Sequence, residues 1–473
     1  MMKKIKLIKT GILLILISLT YSSSIFSQAV NNNSYAFTHV NVLPMNKEIV
    51  LTDYTVIVKE GIISEIGSAS SVNITKGVTV IDAKGKYMIP GLSDMHIHLE
   101  EDSWNLMFPP ESKYSLEDSD FSNLMFLYLA NGVTTVEIMS ALPGHIILRD
   151  KIKKGKILGP RLVLSRMIDG PDKAWPPPIS TWVKNPTEAK KAVEDAHKEG
   201  YDRMKVYSFL DKETYDKIII TAKELNMGVD GHVPLALSVE YVLEAGQNSI
   251  VHSEEVLKFA NGDFSKEKIN YFAKTIAKSN TWITPTLITS NRIISVFENA
   301  EKVMSCPEAK YLNPMTIGIW SFISNNLYKP IPENARKNIR DGYELFQIPF
   351  TYEFHKAGGK ILTGTDALLP GIVHGFSIHD ELKELVDVGI TPFEVLKAST
   401  TNSYEFLNEL NKGGTIEKGK LANLVLLDKN PLEDISNTRK IFGVLLQNKW
   451  ISKEEIKTRL NKISEKYDKL KHP

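Results

Sequence analysis

Ile89-Pro-Gly-Leu-Ser-Asp-Met-His-Ile-His-Leu99 is an apolar run that carries two histidines one residue apart. Residues i and i+2 of a strand face the same side, so His96 and His98 point together. A sheet interior normally holds Val, Ile or Leu. Two imidazoles in such a place need water or a cation for their ring nitrogens, and one metal ion satisfies both. Taken alone, the pair suits a structural role equally well. Lys205, His232, His252 and Asp366 tip the reading toward a metal, because each lies near the end of its own predicted strand.

Downstream, strand-like runs alternate with helical ones: 133–139, 162–165, 203–207, 227–232, 249–252, 282–286 and 360–365. With the His96 strand they make eight. Helical segments such as 186–199 and 212–225 separate them, which implies a parallel sheet. Eight repeats over roughly 270 residues suit a closed (β/α)8 TIM-like barrel. A doubly wound sheet competes, but the chain offers no G-x-G-x-x-G turn in support of it. Nor would such a sheet bring strands one, four, five, six and eight to one point. A barrel does so at its C-terminal mouth.

The two ends of the chain are β-rich. Runs at 36–45, 54–66 and 78–88 precede the barrel, with Glu60-Gly61 as a hairpin turn, and 421–428 and 441–447 follow it. Neither set fills a core by itself, so both are expected to join in one small β-sandwich. The expected organisation is a signal peptide at 1–28, sandwich strands at 29–90, the barrel at 91–410, further sandwich strands at 411–450 and an amphipathic helix at 451–473. Two segments break the rhythm: the Pro- and Trp-rich loop 170–182, and the insertion 290–359. Insertions at a barrel mouth serve as lids, as substrate walls or as simple edge packing.

The 473 residues are 42% hydrophobic with a formal charge of +1, enough for a large core and without the basic face that nucleic acid requires. A small-molecule substrate fits better, and a homo-oligomer is compatible with the composition. Lys3, Lys4, Lys6 and Lys9 precede the apolar run 12–17, and a small, Ser-rich patch at 22–27 follows it. That order reads as a secretory leader. Its apolar core is shorter than the roughly 18 residues of a membrane-spanning helix, so no stable anchor is expected. Cys306 is the only cysteine and lies far from the leader, which argues against a lipoprotein. An exported, periplasmic protein is the expectation.

His96, His98 and Asp366 can hold one ion with positions left open for water, and His232 with His252 can hold a second. Lys205 is the candidate to join them. A lysine turned into a barrel is costly while charged, so burial favours the neutral amine. The neutral amine can capture carbon dioxide, and the carbamate has two oxygens with which to bridge metals roughly 3.5–4 Å apart. A lysine snorkelling to solvent is the plainer role. Asp366 suits a helix N-cap, or a carboxylate that accepts a proton from metal-held water and returns it to a departing amine.

The stretches around these residues, with Leu129-Ala-Asn-Gly-Val-Thr-Thr135, Gly159-Pro-Arg161, Gly200-Tyr-Asp-Arg-Met-Lys205, Gly231-His-Val233, Thr363-Gly-Thr-Asp366 and Gly414-Thr-Ile-Glu-Lys-Gly-Lys420, resemble the amidohydrolase superfamily. The resemblance is to its binuclear branch, near imidazolonepropionase-like proteins and Xaa-Pro dipeptidases. It implies two Zn2+ ions (or another divalent metal) bridged by carboxylated Lys205. His96, His98 and Asp366 would bind one ion and His232 and His252 the other, with a bridging hydroxide attacking a polarised carbonyl. It also implies a substrate contact for Tyr207, which equally suits a core position, and for His374 and His379, the latter equally suited to opening a helix. Glu137 and Ser140 depart from the family pattern and are expected near the mouth, where they bear on substrate identity. Asn423 departs in a strand remote from the chemistry.

Three functions are weighed. The first is a binuclear hydrolase of an amide bond in a dipeptide or N-acyl amino acid. The second is a mononuclear cyclic amidohydrolase or deaminase with a structural Lys205, and the third a binding protein without turnover.

Overall fold

The computed structural model describes residues 34–99, 118–171 and 175–471; the expected leader lies outside them. Strands β1 (Tyr35–Val42), β2 (Leu51–Lys59), β3 (Ile62–Ser68), β4 (Thr79–Asp82) and β5 (Tyr87–Pro90) come first. The barrel strands follow as β6 (Leu92–Ile97), β7 (Val133–Ile138), β8 (Arg161–Asp169), β9 (Thr181–Trp182), β10 (Arg203–Val206), β11 (Gly228–Gly231), β12 (Ser249–Val251) and β13 (Trp282–Thr284). The chain then returns to the first sheet with β14 (Leu424–Leu427), β15 (Ile441–Leu446) and β16 (Lys449–Ser452).

The end strands form one hydrogen-bonded sheet in the order β16-β15-β14-β5-β1-β2-β3, with β4 beside β1. Antiparallel pairing of Leu424 with Pro90 and of Leu426 with Met88 stitches the two ends of the chain together. This sheet encloses its own core of Phe37, Val42, Val56, Met88, Leu424 and Leu445, which gives the small sandwich. The sequence run 54–66 is the hairpin β2–β3, turning at Glu60-Gly61 with both φ values positive. Strand β16 is not among the expected runs. It follows a second such turn at Gln447-Asn448, where an apolar pattern read from residue types simply stops.

The parallel sheet runs β13-β12-β11-β10-β8-β7-β6, with β9 at the side of β8. The eighth member is no regular strand. Residues 360–367 seal the ring through Ile283 N to the Lys360 carbonyl (3.0 Å) on one side and Met95 N to the Thr363 carbonyl (2.8 Å) on the other. Gly364 permits this closeness, since a Cβ there would lie 2.7 Å from the His96 Cβ.

Helices cover the barrel with signals legible in the sequence. Pro186–Glu199 is capped by Asn185, whose side chain accepts from Glu188 N, and it stops at left-handed Gly200. Its Ala189, Val193 and Ala196 enter the main core. The insertion is helical, including π-helical turns at Ile323–Tyr328 and Tyr343–Gln347. The last helix, Lys453–Lys471, buries Ile456, Ile463 and Tyr467 in the same core. No described helix is long and apolar enough to cross a membrane.

Candidate metal centre

The ligand candidates come from the C-terminal ends of four barrel strands, β6, β10, β11 and β12, and from the irregular segment 360–367, and they meet at one point. His96 and His98 leave β6 with their Nε2 atoms 3.3 Å apart, and Asp366 Oδ1 lies 3.4 and 3.2 Å from them. Lys205 Nζ on β10 stands 3.4 Å from His96 Nε2. The rings of His96 and His252 are 4.6 Å apart and those of His252 and His232 5.2 Å apart, so the second pair of imidazoles adjoins the first. Lys205 is only 2% exposed.

Each approach is fixed by backbone as well as by side chain. His252, Thr286 and Asp366 all have positive φ, a conformation costly for residues with a Cβ. Asp366 N donates to the His96 carbonyl (2.8 Å) and His98 N to the Ala367 carbonyl (3.1 Å), so the carboxylate is clamped to the His-x-His strand. Beneath them Asp94 accepts from Thr365 N (2.9 Å) and Thr365 Oγ1 (2.7 Å), and burial pushes its carboxyl up to about 7.

Partners that sequence reasoning missed set the imidazole orientations. Ser140 Oγ lies 2.7 Å from His98 Nδ1, Thr286 Oγ1 2.7 Å from His252 Nδ1, and Glu255 Oε1 2.9 Å from His232 Nδ1. In these three the δ nitrogen is engaged and the ε nitrogen left free to ligate, whereas His96 Nδ1 is buried without a hydrogen-bond partner among the described residues. His232 Nε2 is buried without a partner among the described residues. Burial holds His96 and His232 well below the usual imidazole range and His252 at about 3, so all are neutral, the ligating form. Burial also pulls Lys205 down to about 8. Asp366 ends well below the usual carboxylate range, since the pull of His98, His252 and Lys205 outweighs burial. The donor set fits divalent cations: among the described residues His96, His98 and Asp366 keep their ligating atoms within 4.8 Å of one another.

Glu255 also accepts from Val233 N (3.2 Å) and from Lys258, so it is locked in place. A carboxylate behind a ligating imidazole fixes the tautomer and raises ligand basicity. Glu255→Gln is therefore expected to weaken zinc binding by ~10–100-fold. Competition against a fluorescent chelator measures it, and unchanged affinity would leave Glu255 a packing residue.

Tyr207 stacks on His232 with ring centroids 3.9 Å apart, and it lines the cavity over the centre. Burial raises its phenol, which stays protonated and able to donate. The remaining two candidates are not among the residues lining that cavity. His379 is fully buried in helix Ile378–Asp387, with Nδ1 2.9 Å from Thr438 Oγ1. His374 is likewise buried, 2.7 Å from the Tyr128 hydroxyl, and does not line the cavity. Ser140 does line the mouth, whereas Glu137 belongs to the barrel floor.

That floor is ionic. Arg203 and Asp230 precede Lys205 and His232 by two residues and so share their inward faces, about 6–7 Å deeper. Arg203 makes a two-pronged contact with Asp230, which also accepts from Ser249 Oγ (2.8 Å). Glu137 accepts from Ser165 Oγ (2.6 Å) and lies 3.7 Å from Arg203 Nε. Gly228 makes room for the guanidinium, as a Cβ there would come within 2.2 Å of it.

Comparison with known proteins agrees with this architecture. Over 375 residues the chain is 25% identical to an adenine deaminase of Clostridium perfringens, a match covering 76% of this chain and 49% of that protein, so the chain spans about half the length of that relative. A solved Xaa-Pro dipeptidase with bound methionine superposes with a TM-score of 0.65 at 22% identity, covering 89% of this chain and 100% of the other. Bottromycin amidohydrolase does so with a TM-score of 0.69 at 18% identity, covering 92% of each. These likenesses show the fold. Residues 87–452, most of the sequence, match the model of the Amidohydrolase family, and the chain belongs to that family.

Proposed function

We propose that this chain is an exported binuclear zinc hydrolase that cleaves an amide C–N bond in a dipeptide or N-acyl amino acid-like small molecule. The observation that carries the reading is a buried lysine, Lys205, set among four neutral imidazoles and one ionised carboxylate. Burial brings the Lys205 amine down to about 8, so it is neutral far more often than an ordinary lysine, and a carbamate formed from the neutral amine and carbon dioxide, with loss of one proton, offers two oxygens to two cations. His96, His98 and Asp366 would hold one zinc, His232 and His252 the other, and Lys205 both. When bound, such a pair supplies a nucleophile from water at neutral pH and Lewis acidity toward a carbonyl.

The chain's own residues do the rest. Asp366 Oδ takes the proton released as water adds to the carbonyl carbon and delivers it to the departing nitrogen. Tyr207 donates its hydroxyl hydrogen to the carbonyl oxygen as charge gathers there. Ser140, Thr286 and Glu255 keep the imidazoles from turning.

A second reading has one zinc on His96, His98 and Asp366 and a structural Lys205, and the compactness of that trio favours it. Metal analysis separates the two. The binuclear reading expects two zinc per chain, bicarbonate-dependent recovery of hydrolysis after chelation, and at most one zinc in Lys205→Ala. One zinc per chain with no bicarbonate effect would refute it.

A further inference from the structure

The cavity above the centre measures about 220 Å³, below the ~300–1,000 Å³ of pockets for drug-sized ligands. Its polar lining, His98, Ser140, Lys205, Tyr207, His252 and Asp366, belongs to the centre itself. Everything else described in the wall is apolar: Met167, Trp175, Ile179, Ile323, Leu368 and Leu369.

This wall is built. Ile323 begins the π-helical turn Ile323–Tyr328, a local widening of a helix that recurs at functional sites. It joins Met315, Ile319 and Leu368 in a satellite core onto which Tyr328 and Leu369 pack, so the insertion contributes a backed surface. Trp175 is held from both ends: its carbonyl accepts from Trp182 Nε1 (2.8 Å), and its own Nε1 donates to the Tyr207 hydroxyl (3.4 Å). Among the described lining residues the only lysine or arginine is Lys205, which is already spent on the centre. A carboxylate pressed against the described part of this wall would lose its water and meet there only the Trp175 indole N–H, already turned to the Tyr207 hydroxyl.

We propose that the substrate group seated in this cavity beside the scissile amide is an uncharged aliphatic or aromatic one, and that a free carboxylate terminus is excluded from it. This rests on the metal-centre reading above and narrows its substrate class from any dipeptide to amides with a hydrophobic group on the entering side.

The test uses the full zinc-loaded protein and two hydroxamates of equal length, one ending in phenyl and one in carboxylate, with calorimetric affinities. The phenyl compound is expected to bind at least about tenfold more tightly. Equal affinity, or preference for the carboxylate, would overturn the proposal while leaving the metal centre intact. Failure of both to bind would overturn the metal-centre reading and the proposal with it. Ile323→Arg places a cation in the wall and is expected to shift the ratio by about tenfold toward the carboxylate. A ratio unchanged in that variant, with zinc content and melting temperature retained, would also count against the wall.

Discussion

Asp366→Asn is expected to lower kcat by ~10²–10⁴-fold while zinc remains bound, because the amide keeps an oxygen for the metal and loses the ability to carry a proton. The geometry makes the substitution clean. Asp366 is held by its own backbone, through its amide on the His96 carbonyl, and not only by its side chain. Its position beside His98 therefore survives the change of one oxygen to nitrogen. Zinc by atomic emission and steady-state hydrolysis of the same preparation give both numbers. Full activity with full zinc would show that proton transfer runs through another group.

The largest expected effect on stability lies in the barrel floor. Arg203→Met leaves Asp230 and Glu137 buried without their cation, and removing one partner of a buried ion pair costs about 3–5 kcal/mol. Urea unfolding should show it, and a loss under about 1 kcal/mol would mean that water reaches the floor. The same cluster predicts a pH dependence. Burial first, then the Asp230 charge, raises Glu137 from its ordinary value to about 8. A carboxyl raised in the folded state binds its proton more tightly there than in the unfolded chain. Its contribution is therefore complete below about pH 4.5 and fades as pH rises through 8. Glu137→Gln mimics the protonated form and should flatten that slope.

Much of this was legible because strand periodicity is local. The two-residue spacing of His96 and His98 fixes their common face whatever the rest of the chain does, and helix caps such as Asn185 and Asp211 act within three residues. The convergence of distant strands followed once the alternation implied a barrel. What escaped depends on depth and on neighbours far along the chain. Glu137 lies on an inward face, yet only the register of β7 against β8 shows that it meets Ser165 at the floor and not substrate at the mouth. Ser140, Thr286 and Glu255 are ordinary residue types whose roles exist only beside particular imidazoles. The setting of His379 escaped for the same reason, since its partner Thr438 lies 59 positions away.

The seam at 360–367 carries a consequence for how the molecule comes into being. Thr363 Oγ1 bonds the Ser93 carbonyl across 270 positions of sequence, and contacts of such separation are the slowest to form. A growing or C-terminally clipped chain thus possesses every imidazole and the lysine while still lacking its carboxylate, which arrives only as the ring closes. Chemical competence in this way reports the closing of the ring, since the same bonds that finish the barrel bring the carboxylate to the imidazoles.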